Sequence, residues 1–434
     1  MILEDVNNKK RNASIAENSQ NVYFLTQYFY PDVASTAQLL TELAEDLSKY
    51  GLRVEVFTAQ PSYDKSQKLP AVENYKGITI RRVWNTHFHR SNILGRLLNE
   101  ITFIVSLIFA LLFSHLEKGV FLIVTNPPLL PVVGLILKRI KKIPYIYLVY
   151  DIYPDIAVKL GYLSPNSTLT RFFETVNRRA FVNADKIIVL GEYMKDIIGQ
   201  KLVKYTQCLN KIEVIHNWAD ERQIFTVLKD SNWFIKEHGL EGKFVVLYSG
   251  NLGISHPLEF VVEVANKLKD KDIIFLFIGN GGKKPILEKM TKDMELNNVK
   301  FLPYQDKEVL SYSLSSGDVA IITMEEGIEG LSVPSKLYSF LAAGRPILGI
   351  VSKKSEVALI VEKANCGYII EQSDVDKLYS AIESLYNNPK LLFELSGNAR
   401  KLFESNFTRN RMTKRYFDVI SSVLDSCKGN DREV

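Results

Sequence analysis

The stretch GLSVPSKLYSFLAAGRPIL (330–348) reads as a loop, a helix and a buried strand, and it places Lys336 at the loop-to-helix junction. A helix N-terminus already carries positive potential and favours an acidic neighbour. A cation there is locally unfavourable unless an anion sits in front of it. Ser332 or Ser335 is expected to cap this helix, with Leu337, Phe340 and Leu341 on its buried face. The backbone amides from Val333 to Leu337, with Lys336 beside them, would then make a site for a diphosphate. The plain alternative is a solvated lysine on a first helical turn.

Other stretches have the same loop-after-strand character. In VYDIYPDIAVKLGYL (149–163), Tyr150 and Asp151 end a strand and Asp155 follows one loop later. A carboxylate placed there can accept hydrogen bonds from substrate hydroxyls or act as a base, although Asp is also a common turn residue. YSGNLGISHPLEF (248–260) and FIGNGGKKP (277–285) pass from strands into glycine-containing loops. Gly250, Gly253, Gly279, Gly281 and Gly282 permit close backbone approach, and Asn251 and His256 could donate to phosphate or sugar. Near the N-terminus, Ser35 and Thr36 open a helical pattern, either as caps or as small residues that admit a phosphate.

The elements that must position these residues are legible as two alternating series. NVYFLTQYF, AQLLTELAEDLSKYG and RVEVFTA form a βαβ unit, with Leu39, Leu40, Leu43 and Leu47 on one helical face and a stop at Gly51. Strands are expected near 120, 145, 186 and 212, and a second series at 244–250, 272–279, 299–303, 318–324, 346–351 and 366–370. From 374 onward the pattern is helical throughout. The implied fold is α/β: two tandem Rossmann-like, doubly wound parallel-sheet domains, with ligands in the cleft at the carboxyl ends of both sheets.

Length and composition agree. A chain of 434 residues exceeds one ordinary core, and 46% hydrophobic with 24% charged residues is globular. The net charge of +5, without a basic stripe interleaved with aromatics, argues against nucleic acid. Cys208, Cys366 and Cys427 are far apart, as expected of buried or inert thiols in a reducing compartment. Neither GxGxxG after the first strand nor GxxxxGK[ST] occurs, which counts against dehydrogenases and P-loop NTPases. No metal-ligand spacing is visible. Residues 1–20 are polar, lack the apolar core of a secretion signal and are expected to form a disordered tail. ITFIVSLIFALLF (101–113) is too short a run to span a bilayer. It is either a buried helix or one touching a membrane face, with Arg81, Arg82, His87, His89, Arg90 and Arg96 just before it.

YFYPDVASTAQLLTELAEDL, VYDIYPDIAVKLGYL, VIHNWAD, LYSGNLG, FIGNGGKK, VKFLPYQ and GLSVPSKLYSFLAAGRPIL occur in an order, across roughly 21–350, that resembles glycosyltransferase family 4 of the GT-B fold. The likeness is to its branch that builds exopolysaccharide, capsule and O-antigen. The resemblance implies an acceptor domain (21–220), a nucleotide-sugar domain (221–407) and a helix at 408–427 returning to the first domain. It implies that Gly279 and Gly281 approach the nucleotide and that the backbone around Leu302 to Tyr304 reads the base. Gly250, Asn251, Val333, Ser335 and Lys336 would face the diphosphate and sugar.

The chain also departs from the family. The two glutamates that many members carry align with Leu331 and Ser339, leaving Glu326 or Glu329 for the first and the Ser339 hydroxyl for the second. The usual His-Asp pair is Tyr150-Asp151, and Asn251 stands where a phosphate-binding Arg is usual. The function implied is a retaining, metal-independent transfer from a nucleotide-sugar, UDP-linked and N-acetylated deoxy in type. The acceptor would be a lipid-linked saccharide at the cytoplasmic membrane face. Lys336 and Asp151 would be its catalytic residues, with Ser35, Thr36 and Asp155 on the acceptor side. A degenerate scaffold and a nucleotide-sugar 2-epimerase are the alternatives.

Overall fold

The computed structural model describes residues 20–61, 69–88, 93–254, 256–372 and 374–430. Of the sequence expectations, the tail at 1–19 and the basic residues His89 and Arg90 lie outside the described residues. The chain divides into two compact units. One takes the residues up to Leu190, 194–215 and those from Thr413 onward, and the other takes 191–193 and 216–412.

The first unit runs β1 Asn21–Leu25, α1 Ser35–Lys49, β2 Arg53–Ala59, β3 Val72–Tyr75, β4 Ile78–Val83, α2 Ile93–Phe113, β5 Gly119–Val124, α3 Pro131–Lys141, β6 Tyr145–Val149, α4 Asp155–Lys159, α5 Thr168–Asn183, β7 Lys186–Val189, α6 Glu192–Lys201 and β8 Ile212–Val214. Its eight strands lie in the order β3-β4-β2-β1-β5-β6-β7-β8. All pairs are parallel except β3 with β4. Every residue of β1, β5 and β6 is buried, as helices on both faces of a parallel sheet require.

The β3–β4 hairpin was not visible in the sequence reading. It turns through Lys76 and Gly77, both at positive φ, and it changes the meaning of two basic residues. Arg82 is buried, 2.6 Å from Glu73, and also donates to the Pro70 and Tyr30 carbonyls. Arg81 is paired with Glu55. Neither is therefore part of a free basic flank to α2.

The helix α2 is longer than the thirteen-residue apolar run, at 21 residues. That is roughly 30 Å at 1.5 Å per residue, so the length argument against a membrane span does not hold. Its inner face, Phe103, Leu107 and Leu111, is fully buried. Asn99 and Thr102 pin the segment leading into it: Asn99 Oδ1 accepts from the Phe88 N–H at 2.9 Å, and Thr102 Oγ1 from the Thr86 N–H at 3.1 Å.

The second unit runs α7 Trp233–Glu237, β9 Phe244–Ser249, α8 Glu259–Lys267, β10 Ile273–Ile278, α9 Lys284–Asp293, β11 Val299–Leu302, α10 Leu310–Ser315, β12 Val319–Thr323, α11 Lys336–Ala342, β13 Ile347–Ile350, α12 Glu356–Ala364, β14 Gly367–Ile370, α13 Val375–Asn387 and α14 Pro389–Asn406. Its strands are all parallel in the order β11-β10-β9-β12-β13-β14. Phe275, Phe277, Ile321 and Leu348 stand in its core beside Val262 and Ile382 from the flanking helices.

A last helix, α15 Arg409–Asn430, starts in the second unit and ends in the first. In the first unit Thr413 Oγ1 lies 3.2 Å from Asp46 Oδ2, and Tyr416 and Ile420 are fully buried. Cys208 and Cys366 are buried and Cys427 is exposed, all three as free thiols.

Candidate active site

In each sheet the strand order reverses once, between β1 and β5 and between β9 and β12. Loops leaving the carboxyl ends on the two sides of such a reversal part from each other, and the crevice left there is where open α/β sheets bind ligands. The sequence candidates fall at these two places, and each unit is described by itself.

In the second unit the site is built on Tyr248, near the end of β9, with its ring buried. The Tyr248 hydroxyl donates to the Asn251 carbonyl at 2.7 Å. It accepts in turn from Lys336 Nζ at 2.8 Å, and the same ammonium lies 4.1 Å from the ring centroid. Lys336 thus reaches from the start of α11 back over β9, a cation on an aromatic face. Gly250 makes room for it, since a Cβ at that residue would stand 3.1 Å from Nζ. Burial, with no carboxylate contributing, draws the Lys336 pKa from the usual lysine range down to about 7. An ammonium desolvated without a counter-ion is held near its titration point.

The groups around it are arranged to match. His256 lies with Nδ1 3.3 Å from Thr323 Oγ1, at the end of β12. Burial, and then the charge of Lys336, pulls its pKa down to about 4, so it is a neutral imidazole at physiological pH. Burial pushes the Tyr248 phenol well up. Lys283, just before α9, is buried and held 2.7 Å from Glu259, and its charge also reaches His256. Lys283 is a cation that the sequence reading passed over, because KK after a glycine turn looks like a solvated surface pair.

The glycines of the two loops have a structural cause. The Gly250 N–H donates to the Ile278 carbonyl and the Leu252 N–H to the Asn280 carbonyl, both at 2.9 Å, so the loops after β9 and β10 are zipped together. Gly279 sits at φ 142°, where a Cβ would collide with the Gly250 carbonyl oxygen. A Cβ at Gly281 would strike the Leu252 carbonyl oxygen. These residues shape the loops whether or not a ligand touches them. The Leu302 carbonyl accepts the Gly279 N–H at 2.9 Å. Tyr304 is largely exposed and donates its hydroxyl to the Asn280 carbonyl at 3.3 Å.

Several expectations about the loop before α11 need correction. Ser335 occupies the N-cap position, but its backbone is helical and its side chain makes no capping hydrogen bond. The Leu337 N–H is taken by the Pro334 carbonyl at 3.2 Å, so it does not face a ligand. With only seven residues, α11 has little dipole to offer, and the positive charge of this site is that of Lys336 itself. Val333 and Leu331 are buried as packing, and Asn251 is exposed. Glu329 folds onto its own loop, accepting the Gly327 N–H at 2.8 Å. Glu325, which the sequence reading did not single out, has one buried carboxylate oxygen without a hydrogen-bond partner. Ser339 is partly exposed on α11.

In the first unit Thr125, just past β5, accepts the N–H groups of Tyr150 at 3.1 Å and Asp151 at 3.2 Å on one hydroxyl. This fixes the chain where β6 ends and leaves Asp151 partly exposed. Burial raises the Tyr153 phenol, and the charges of Asp151 and Glu100 add to that. Glu100, on α2, has its pKa pushed up to about 7 by burial against the opposing pull of Arg96. Asp151 is therefore one member of a group with Tyr153, from its own loop, and Glu100 and Arg96, from the first turns of α2.

Asp155 does not join that group. It is paired 2.9 Å from Lys201 on α6, which Glu174 also holds at 2.9 Å, so its carboxylate ties helices together. Ser35 and Thr36 are the first residues of α1, and neither caps it, because the N-cap is Ala34 with no side-chain hydrogen bond. Among the described residues no group of three or more His, Cys, Asp or Glu side chains is placed to hold a metal ion.

Two doubly wound parallel sheets in tandem, each with its loop cluster at the order reversal, make up the GT-B fold. Anabaena HepE, solved in complex with UDP, has that fold and superposes with a TM-score of 0.72 over 93% of this chain and 100% of its own, at 16% identity. The chain belongs to the glycosyltransferases: residues 36–218 match the glycosyl transferase 4-like domain and residues 230–402 the glycosyl transferases group 1 domain. It is 28% identical over 348 residues to a probable glycosyltransferase, WbjE, of Pseudomonas aeruginosa, covering 79% of this chain and 84% of that one. It is 25% identical over 378 residues to WcaI of Escherichia coli, a putative colanic acid biosynthesis glycosyl transferase, covering 83% and 91%.

Proposed function

We propose that this glycosyltransferase moves a sugar, with retention, from a UDP-linked donor to a lipid-linked saccharide at the cytoplasmic face of the membrane. The observation that carries the donor side is Lys336: a desolvated ammonium at the strand-order reversal, held by a phenol and an aromatic face and lacking a carboxylate. A diphosphate is the kind of anion such a cation lacks. In this reading Lys336, rather than a metal ion, meets the charge that builds on the leaving diphosphate as the sugar C1–O bond breaks.

The acceptor oxygen forms the new bond to C1, and its proton passes to the departing phosphate, so a separate protein base is not required. Asp151 orients the acceptor hydroxyl from the end of β6. The polysaccharide-biosynthesis name of the WcaI relative supports an acceptor on a growing saccharide, and an N-acetylated deoxy sugar is the first donor class to assay.

Thermal unfolding of the purified chain with UDP, GDP, ADP and CDP, first without and then with magnesium, tests the donor reading. UDP should raise the midpoint without metal, and UDP-sugars should be slowly hydrolysed to UDP. No shift from any of the four would refute the donor site, and a shift that needs magnesium would refute the role given to Lys336.

A further inference from the structure

We propose that Lys336 is a site of covalent modification, whose Nζ takes up the acyl group of a small acyl phosphate. The hydrogen-bond directions around the lysine leave it a free lone pair. A phenol has one O–H, and that of Tyr248 is committed to the Asn251 carbonyl at 2.7 Å. Lys336 Nζ, 2.8 Å from the same oxygen, can therefore only donate to it. On losing a proton the amine keeps that bond through a remaining N–H. Among the described residues no other hydrogen-bond donor is placed on its lone pair.

The surroundings also favour the neutral amine. Lys336 has no carboxylate partner among the described residues, and no acidic residue stands in the first turn of α11. Glu329, in the loop before it, is folded onto the Gly327 N–H. From the other elements Lys336 is met by Tyr248, which stays a phenol, and His256, which stays a neutral imidazole at physiological pH. At pH 7 about half of Lys336 is thus neutral, against about one in three thousand for a lysine at 10.5. Lys283 is the contrast: it is more deeply buried, yet Glu259 at 2.7 Å holds its charge.

The amine can also be reached. Lys336 is partly exposed, and Gly250 has no side chain to cover it, since a Cβ there would stand 3.1 Å from Nζ. The groups beside it select the reagent. His256 takes a proton only below about 4 and the phenol keeps its own, so the site holds no strong base. The reagent must bring the base on its leaving group, and phosphate does so. The amine nitrogen bonds to the acyl carbon, and the bond from that carbon to the phosphate oxygen breaks. The departing phosphate takes the electron pair and the proton from nitrogen, and nothing is oxidised or reduced. Phosphate is also the group read above as binding here, so the choice of reagent rests on that reading. Where a diphosphate does bind, acylation removes its cation, and donor binding then answers to the supply of acyl phosphate.

The test is incubation of the full chain with acetyl phosphate between about pH 6 and about pH 9, with the modified lysines identified by mass spectrometry after digestion. Acetylation of Lys336 is expected at least about tenfold faster than that of the exposed Lys269 and Lys289, with Lys283 unmodified. Its rate should level off above about 7, where the exposed lysines still gain about tenfold per pH unit. Saturating UDP should slow it about tenfold or more, and the acetylated protein should lose its thermal response to UDP. Acetylation of Lys336 no faster than that of Lys269, or a rate that never levels off, would overturn the proposal. If UDP still raised the unfolding midpoint in that case, the donor reading would stand. Rapid, levelling acetylation that UDP does not slow would instead refute the role given to Lys336 at the donor site and leave this inference in place.

Discussion

Binding of a UDP-sugar should weaken about eightfold between about pH 6.5 and about pH 8, because only protonated Lys336 meets the diphosphate fully. With a pKa of about 7, the lysine is charged in about three-quarters of molecules at the lower pH and in about one-tenth at the upper. The donor's diphosphate is a diester and does not itself titrate in this interval. His256, at about 4, is already neutral, and Tyr248 is raised far above it. Glu100 also titrates at about 7, but it stands in the first unit's group with Asp151, so among the groups around the donor site the titration belongs to Lys336.

Binding at about pH 8 should accordingly take up about 0.9 proton, falling to about a quarter of a proton at about pH 6.5. Titration calorimetry with UDP-glucose in two buffers of different ionisation enthalpy measures both numbers. Lys336→Met should bind more weakly at the lower pH and lose the slope altogether. The sign for the free protein is opposite. Its Lys336 pKa is depressed below the unfolded value of 10.5, so the unfolded chain binds more protons between about 7 and 10.5, and stability rises with pH through that window. An affinity flat in pH without proton uptake, or a Lys336→Met variant that keeps the slope, would refute the reasoning.

Other outcomes follow from the same geometry. Tyr248→Phe removes the acceptor that Lys336 donates to, so the midpoint of the pH profile should move down, with a stability loss of about 1 kcal/mol seen in urea unfolding. Gly279→Ala forces a Cβ onto the Gly250 carbonyl and should cost at least about 2 kcal/mol together with donor binding, a joint loss visible in thermal unfolding with and without UDP. Asp151→Asn should leave the melting temperature almost unchanged and, by loosening the acceptor hydroxyl's position, reduce kcat by up to about a hundredfold. Asp155→Ala should do the reverse, costing up to about 1 kcal/mol of stability with acceptor KM unaltered.

The sheets were legible because buried parallel strands are continuous apolar runs: GVFLIV, YIYLV and IIFLFI announce themselves, and the structure trims them by only a residue or two. The hairpin at 72–83 was missed because its strands carry Arg81, Arg82 and Glu73, whose charges are satisfied across strands that one-dimensional patterns do not pair. Lys336 was found from its conflict with the helix dipole, but its phenol partner lies 88 residues earlier, and nothing local to either residue reveals the pairing. Asp155 shows the opposite failure. A carboxylate after a strand end reads as functional until the structure brings Lys201 to it. Whether the apolar run of α2 was core or surface stayed open in the sequence because both of its faces are apolar, and only packing tells that Phe103, Leu107 and Leu111 are buried while Val105, Phe109 and Phe113 are left exposed.

The route of α15 has a consequence for biosynthesis. Asp46 on α1 meets Thr413, and Tyr50, just past the end of α1, meets Phe417 with ring centroids 5.1 Å apart. A ribosome that has finished β8 must translate nearly the whole second unit before these partners exist, which takes about 10–40 s at about 5–20 residues per second. During that interval the groove later filled by Tyr416 and Ile420 is bare on the nascent chain. The first unit to be translated is thus the last to be completed, and the emergence of α15, more than that of its own strands, sets the moment at which it closes.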